Sequence, residues 1–331
     1  MVSNYLLIGS GNIAIRHANN IKLISKKNKI FFLTKNNSRS FKDLCKKNNF
    51  YYFKDIRSLK KMSFFAIFIC SSSRDHVKYF NKLSHFTNNF FIEKPISNKL
   101  SQAIKIYNSN KKIIQIGYNL IFDTKLKYLK NYISSNKKKI GKLYRIECGV
   151  GHCLTQWRLH RDYKKTVSAN KDLGGGVLLE LSHEINYLIW LFGRIAKVSA
   201  GIYKISKLKV NVEDFVTKNL IFKNNLIGTL NMDFIRKDKT RYLNLIFEKL
   251  TISLDFVANR IKINDGNKAN IIKFKLDDNQ SYTDQLKFFL ALIKKKRKDP
   301  NLNFAIDTLR VIDSARISNK LNSKMIKIKY E

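Results

Sequence analysis

The segment YLLIGSGNIA, residues 5–14, decides the fold of this chain. Its apolar start predicts a buried strand, and the glycines predict a tight turn into a helix. Gly9, Gly11 and Ala14 have the G-x-G-x-x-G/A spacing, which allows the turn, backbone approach to a pyrophosphate, and close helix–strand packing. N–H groups at the start of the helix favour phosphate. We therefore predict a dinucleotide site made by Gly9, Ser10, Gly11, Asn12, Ile13 and Ala14.

The first third of the chain alternates short apolar runs with helical patterns, which is typical of β-α-β units and a parallel sheet. The predicted strands are residues 5–10, 30–34, 64–70, 90–93 and 113–117, and the predicted helices are 13–24, 40–47, 74–83 and 100–109. Beyond Tyr118, six longer strand patterns between residues 143 and 256 are linked in part by short turns. Such turns favour antiparallel pairing. The expected fold is α/β, with a parallel Rossmann domain at 1–118 and an α+β domain with a mostly antiparallel sheet at 119–331, whose C-terminal helices could pack back on the first domain.

The end of the second predicted strand should contact the adenosine ribose, where an Asp or Glu would favour NAD. Residues 34–39 contain no acid. Thr34 ends the strand, and Lys35, Ser38 and Arg39 could bind a 2′-phosphate. NADP is therefore favoured as the cofactor, and NAD remains the alternative. After the third strand, Ser71, Ser72 and His76 fit beside a nicotinamide ribose.

The formal charge of +40 raises the question of a nucleic-acid partner. The lysines are spread over the whole length, and Asn, Ile and Phe are abundant too, as an AT-rich coding sequence would produce. No groove-reading motif accompanies the charge, so we expect no nucleic-acid partner. No apolar run approaches the roughly 20 residues of a membrane helix, and no signal peptide precedes the first strand. We expect a cytoplasmic protein without membrane insertion and without a metal site.

Lys94 follows the predicted strand at 90–93 and lies between Glu93 and Pro95. Proline is rare here, with 2 in 331 residues. It fixes φ, and the bond before it can be cis, which would aim the preceding side chain unusually. The tripeptide therefore predicts a rigid turn that presents an amine at a strand end. Taken alone, the tripeptide would be better explained by a surface lysine at a strand end.

Residues 174–187 contain three glycines followed by a helical pattern. Helical spacing puts Glu180, His183, Glu184 and Tyr187 on one stripe. This stripe has no lysine in a lysine-rich chain, which predicts that it faces a cleft instead of solvent. His183 is the residue type whose charge changes near neutral pH, as an acid/base catalyst requires. A buried structural histidine is the alternative.

Three motifs, in their order and separations, resemble those of the Gfo/Idh/MocA oxidoreductases, the glucose–fructose oxidoreductase and inositol dehydrogenase family. They are the glycine turn at residues 9–14, the tripeptide at 93–95 and the segment 174–183. The resemblance covers essentially the whole chain. It implies a Rossmann domain followed by a substrate-binding and oligomerisation domain, whose open sheet makes homodimers or homotetramers. It also implies that Lys94 and His183 flank the reacting carbon of a sugar or polyol, that Glu180 assists His183, and that Glu93 and Lys94 border the cofactor.

The segment from Leu154 to Glu184 further resembles a branch linked to surface-polysaccharide and acidic-sugar pathways. This segment suggests four residues for substrate binding, Trp157, Arg158, Asp162 and Tyr163. Tyr118, which follows the fifth predicted strand, is a further candidate.

Three positions depart from the family pattern. Leu179 stands where relatives usually have Asp, with Glu180 beside it; Ile121 and Asn186 replace a usual Arg and Asp. These departures leave the substrate and the proton path open.

Two other functions also remain open. One is a cofactor- and sugar-binding regulator without turnover, which the retention of Lys94 and His183 disfavours. The other is glycoside cleavage through transient oxidation and elimination, with NAD retained.

Overall fold

The computed structural model describes residues 2–109, 111–157 and 162–330. The chain divides into two compact units. The first comprises residues 1–119 and 282–306, and the second comprises 120–281 and 307–331. In the described ranges no helix is both long enough and apolar enough to cross a membrane.

A parallel sheet of six described strands forms the centre of the first unit. The strands are β1 (Asn4–Ile8), β2 (Lys29–Leu33), β3 (Phe50–Phe53), β4 (Ala66–Ile69), β5 (Asn89–Ile92) and β6 (Ile113–Ile116). The connecting helices are α1 (Asn12–Ile24), α2 (Arg39–Asn48), α3 (His76–Leu83) and α4 (Leu100–Tyr107). The spatial order β3-β2-β1-β4-β5-β6 reverses direction between β1 and β4. Ligands of such sheets bind at the carboxyl ends of the strands beside this reversal. The predicted Rossmann sheet is confirmed, although β3 was not predicted.

Aromatic side chains fill the core of this unit. Every residue of β4 is buried, and Phe68 stacks on Phe91 of β5 with ring centroids 4.9 Å apart. A later helix, α9 (Gln280–Lys295), adds Phe289, whose ring meets Phe68 edge-on at 5.8 Å. Fully burying such a side chain contributes about 1.5–3 kcal/mol.

The second unit contains a sheet of nine described strands. They are β7 (Leu143–Gly151), β8 (Ile195–Tyr203), β9 (Phe215–Phe222), β10 (Ile227–Asp233), β11 (Thr240–Phe247), β12 (Thr251–Asp255), β13 (Arg260–Asn264), β14 (Ala269–Lys273) and β15 (Ile326–Lys327). Their order is β14-β13-β12-β11-β7-β10-β9-β8-β15, and the pairing is antiparallel except between β7 and β10. The mostly antiparallel sheet is confirmed; β13, β14 and β15 were not predicted.

Helices of the second unit are α5 (Thr124–Ser135), α6 (Lys137–Ile140), α7 (Val177–Glu180) and α8 (His183–Phe192), and α10 (Leu302–Lys320) contributes its residues from Asp307 onward. Burial alternates along the strands, as Leu243 and Leu245 of β11 show. Helices α7 and α8 pack against β7, β9 and β10. The segment with the predicted catalytic residues therefore lies against the middle of this sheet.

Asp299 gives the first unit a testable pH dependence. It is buried, its carboxylate accepts the Asn301 N–H at 2.8 Å, and burial raises its pKa to about 6. Because its pKa is raised on folding, the folded state binds this proton more tightly than the unfolded chain does. The stability that this proton adds is present at low pH and is lost as the pH rises from about 4 to about 6.

We expect Asp299→Asn to raise the free energy of unfolding at pH 7.5 by on the order of 1–3 kcal/mol, and to change it little at pH 4. Urea denaturation at the two pH values measures this. Asp43→Asn, at an exposed site on α2, is the control and should show no such difference. An equal effect of Asp299→Asn at both pH values would contradict the assignment.

Candidate functional site

The turn from β1 into α1 has the backbone that a dinucleotide requires. Gly9 has φ +94°, and a Cβ there would lie 3.0 Å from the carbonyl oxygen of Cys70. Gly11 is the N-cap of α1, and a Cβ there would meet nothing within 4 Å. The start of α1 is thus open at Gly11, where N–H groups and the helix dipole favour a phosphate. These residues fit a pyrophosphate.

Hydrogen bonds join this turn to the end of β2. Ser10 Oγ lies 3.1 Å from Thr34 Oγ1 and accepts from Asn36 Nδ2 at 3.1 Å. Asn36 Oδ1 also accepts the Ser38 N–H, an Asx turn. Asn36 was not predicted as a site residue, although an Asn two residues before a helix-capping Ser is a recognisable Asx-turn signal.

The predicted phosphate-binding side chains lie on the surface beyond Thr34. Ser38 caps α2 by accepting the Phe41 N–H, while Lys35 and Arg39 are exposed. Both cations are therefore available at the end of β2.

The loop after β4 carries the predicted nicotinamide-side residues. Ser71 and Ser72 are half-buried, and Ser72 donates to the Asp75 carboxylate at 2.9 Å. His76 is fully buried, with one ring nitrogen 3.0 Å from the Ser71 carbonyl and the other 3.0 Å from the Pro95 carbonyl. Burial lowers the pKa of His76. The ring thus ties the loop after β4 to the loop after β5.

Glu93 and Lys94 stand at the end of β5, and the Lys94–Pro95 peptide bond is cis. Glu93 is buried; its Oε1 lies 2.7 Å from Nε2 of His17 on α1, and its Oε2 accepts the Lys94 N–H at 3.3 Å. A Cβ at Gly117 would lie 2.8 Å from this carboxylate. Glu93 is thereby held through both carboxylate oxygens, glycine at position 117 leaves room for it, and Lys94 is half-buried beside it. His17 was missed because no local pattern marks its partner 76 residues away.

In the second unit, the helix predicted within 174–187 is in fact two helices. α7 ends at Glu180, Leu181 leaves helical geometry with ψ 24°, and α8 begins at His183. Ser182 Oγ donates to the Leu179 carbonyl at the break. Side chains before and after the break therefore do not share one continuous stripe.

Glu180 and His183 flank this corner, and both are half-buried. Glu180 Oε2 accepts from Ser168 Oγ at 2.8 Å. A Cβ at Gly175 would collide with the carbonyls of residues 167 and 168, and one at Gly176 with the Glu213 carboxylate. The two glycines thus allow the backbone before α7 to lie directly against these carbonyls and this carboxylate.

Glu184 and Tyr187 do not face a cleft, as the predicted stripe required. Both are fully buried instead of facing a cleft. Glu184 Oε1 forms an ion pair with Arg241 Nε at 2.8 Å, and the Tyr187 hydroxyl lies 3.0 Å from Cys148 Sγ. Their prediction was wrong because the break at Leu181 turns them toward the sheet.

The predicted substrate residues have these positions. Tyr118 is buried in the first unit. In the second unit, Trp157 Nε1 donates to the His152 carbonyl at 3.1 Å, Asp162 accepts the Lys164 N–H at 3.0 Å, and the Tyr163 hydroxyl accepts the Lys209 N–H at 3.2 Å. Arg158 lies outside the described residues. In these contacts the three second-unit residues bind backbone groups of their own unit.

Comparison with known families divides the chain in two. Residues 3–118 match the oxidoreductase family model with an NAD-binding Rossmann fold, and residues 128–253 match the GFO/IDH/MocA C-terminal domain. Among curated proteins, none matches the chain in sequence.

Solved structures share the fold over essentially the whole length. Levoglucosan dehydrogenase in complex with NADH and levoglucosan has a TM-score of 0.86 at 13% identity, covering 100% of both chains. The myo-inositol 2-dehydrogenase from Lactobacillus plantarum has 0.81 at 15%, covering 99% of this chain and 100% of its own. An oxidoreductase from Agrobacterium radiobacter in complex with NAD+, L-tartaric acid and magnesium has 0.83 at 14%, covering 99% and 98%. At these identities the likeness shows the fold.

Gly11→Ala tests the cofactor turn. Because φ is −72° and a Cβ would meet open space, the free energy of unfolding should change by no more than about 1 kcal/mol. The added methyl would occupy the place of the pyrophosphate, so the Kd for NADH and NADPH should rise about tenfold or more. Titration of nicotinamide fluorescence measures the Kd.

Gly9→Ala is the contrasting variant, because its φ of +94° makes any side chain strained and should cost about 1–3 kcal/mol of stability. Unchanged cofactor affinity in folded Gly11→Ala would show that the dinucleotide does not bind against this turn.

Proposed function

Because the chain belongs to the Gfo/Idh/MocA family of NAD(P)-dependent oxidoreductases, we propose that it transfers a hydride between nicotinamide and the secondary alcohol or ketone carbon of a sugar or polyol. The observation that carries this proposal is the pairing of motifs: Lys94 stands in the matched nucleotide-binding region, and His183 stands in the matched C-terminal region. A regulator without turnover would not need either side chain.

The substrate class is supported by proteins of similar fold. Levoglucosan dehydrogenase and myo-inositol 2-dehydrogenase are both named for polyhydroxylated ring compounds. A substrate of that kind offers secondary alcohols for oxidation and further hydroxyls for recognition.

The chain's own residues divide the work of the reaction. A nicotinamide cofactor, when bound, would supply the hydride chemistry. Lys94 donates a hydrogen bond to the reacting oxygen and stabilises the negative charge that develops on it. His183 takes the hydroxyl proton during oxidation and returns it during reduction. Glu180, held by Ser168, orients His183 or tunes its pKa.

Recognition of the remaining hydroxyls falls to Tyr118, Trp157, Asp162 and Tyr163. Arg158 suits a carboxylate or phosphate, because its planar guanidinium can donate two parallel hydrogen bonds. An anionic group on the substrate agrees with the resemblance to enzymes of surface-polysaccharide and acidic-sugar pathways. We propose that the protein acts in a pathway of that kind. We further propose that it is a cytoplasmic homodimer or homotetramer.

Lys94→Met and His183→Asn test the two catalytic roles. We expect kcat to fall by about 10²–10³ for Lys94→Met and by about 10²–10⁴ for His183→Asn, because each removes a group that acts in the transition state. Turnover is measured by the change in absorbance of the reduced nicotinamide. The sugar for this assay is first found by screening keto sugars and polyols.

Lys99→Met, at an exposed lysine five residues beyond Lys94, is the matched control and should retain full turnover. Cofactor titration of all variants separates loss of binding from loss of chemistry. Normal turnover by either catalytic-site variant would remove that residue from the mechanism.

Arg39→Gln tests the preference for NADP. The exposed guanidinium at the start of α2 can pair with a 2′-phosphate, so the Kd for NADPH should rise about tenfold while that for NADH stays unchanged. Lys42→Gln, exposed one turn further along α2, is the control. If wild-type protein bound NADH more tightly than NADPH and Arg39→Gln changed neither Kd, the NADP preference would be wrong.

A further inference from the structure

His76 joins two loops at the carboxyl edge of the parallel sheet. Where β4 and β5 end, the Glu93 N–H donates to the Ile69 carbonyl at 2.9 Å. Beyond that bond, the His76 ring lies between the loops, with Nε2 3.0 Å from the Ser71 carbonyl and Nδ1 3.0 Å from the Pro95 carbonyl. The ring therefore continues the connection between the two strands into the loops that follow them.

The two contacts of His76 cannot both be hydrogen bonds while the ring is neutral. A carbonyl oxygen only accepts, so each contact needs an N–H on the ring. A neutral imidazole has one N–H and one bare nitrogen, whereas the imidazolium has two N–H groups. The neutral ring can therefore bond to one loop at a time, and the imidazolium can bond to both.

Burial opposes the charge that would satisfy both carbonyls. His76 is 0% exposed, and burial lowers its pKa from the ordinary value of 6.5. As the first residue of α3, it also lies at the positive end of the helix dipole, which disfavours a cation. The two carbonyls and the Glu93 carboxylate act in the opposite direction, but burial has the larger effect. In the free protein near neutral pH, the ring is therefore neutral.

A dinucleotide would change this balance, because it brings negative charge to the neighbouring turn. The pyrophosphate site at the glycine turn adjoins the loop after β4. A Cβ at Gly9 would lie 3.0 Å from the Cys70 carbonyl and 3.6 Å from the Ser71 nitrogen. Ser71 is also the residue whose carbonyl the His76 ring contacts. A nearby anion favours the charged form of a histidine.

We propose that His76 is a positioning residue: its protonated ring clamps the loop after β4 to the turn that carries Lys94, and a bound dinucleotide favours this protonated form. The second part rests on the proposed function. Pro95 directly follows Lys94, so the clamp holds the backbone from which the Lys94 side chain extends. Cofactor binding thereby takes up a proton and fixes the Lys94 turn in the same event.

The other ionisable groups around His76 belong to the elements packed against α3 and to the neighbouring loops. Glu93 raises the pKa of His76 through its charge, and its Oε1 also lies 2.7 Å from His17 Nε2. The remaining groups are Cys70 at the end of β4, Arg74 and Asp75 in the turn before α3, Lys78, Tyr79 and Lys82 on α3, Lys94 after β5, and Lys99 and Lys105 at the start and on the body of α4. A signal specific to His76 is therefore needed to separate its titration from theirs.

The test is an NMR titration of protein with 15N-labelled histidine between about pH 5.5 and 8, with and without saturating NADH. NADH is used because the 2′-phosphate of NADPH itself changes charge near about pH 6. The 15N signals report which ring nitrogens carry a proton, and the His76 signals are those that His76→Gln removes. We expect the His76 pKa to lie below 6.5 in the free protein and to rise by about half a unit or more with NADH. His85, exposed after α3, is the internal control, and its signals should titrate identically in both samples.

Cofactor affinity supplies the reciprocal measurement. If NADH favours protonated His76, then protons favour NADH to the same extent. The Kd for NADH should therefore be about threefold or more lower at pH 5.5 than at pH 8, because half a pKa unit corresponds to about that ratio. His76→Gln should remove this pH dependence, and His85→Gln should keep it.

An unchanged His76 pKa in protein saturated with NADH would overturn the proposal. A ring that carries a single proton throughout the pH range in both samples would overturn it as well. If His76→Gln does not fold, substitution of the other histidines one at a time assigns the His76 signals, and the wild-type titration decides.

These outcomes separate the clamp from the proposed function. NADH binding with an unchanged His76 pKa refutes the clamp and leaves the oxidoreductase function intact. A raised His76 pKa together with normal turnover by Lys94→Met retains the clamp and removes Lys94 from the mechanism. Failure to bind NADH or NADPH at any pH refutes the proposed function, and with it the part of the clamp that depends on the dinucleotide.

Discussion

The buried hydrogen bond between Glu93 and His17 is the interaction on which the nucleotide-binding half depends. It joins α1, which opens at the glycine turn, to the end of β5, where Lys94 stands. The same carboxylate accepts the Lys94 N–H and leaves room only for glycine at position 117. The positions of α1 and of Lys94 are consequently linked through one side chain.

The C-terminal half uses a different solution. Its Glu180 and His183 lie at a helix break, where the Leu181 N–H donates to the Val177 carbonyl and Ser182 Oγ donates to the Leu179 carbonyl. Charged groups hold the segments on either side of the break: the half-buried Glu213 accepts the Leu178 N–H, and the half-buried Arg241 pairs with the buried Glu184. Such groups contribute little net stability compared with apolar packing, so their value here is in defining one geometry.

Local patterns in the sequence were enough to predict the parallel sheet and the antiparallel sheet, because glycine spacing and apolar runs report local backbone. They also singled out Lys94, because it precedes one of only 2 prolines, and His183, because its segment has no lysine in a lysine-rich chain. The partner of Glu93 and the burial of Glu184 could not be predicted, because both depend on residues distant in sequence. The helix break at Leu181 has no Gly or Pro to mark it, so periodicity alone extended the helix through it.

Deuterium transfer tests the central claim of hydride exchange most directly. Protein is incubated with keto sugars and with NADPH that carries deuterium at both positions of nicotinamide C4, and the products are analysed by mass spectrometry and NMR. Direct hydride transfer predicts one deuterium on the new carbinol carbon and one deuterium remaining on the oxidised cofactor. Sugar reduction without deuterium on the carbinol carbon, or cofactor oxidation that releases the deuterium to water, would contradict hydride transfer to the sugar.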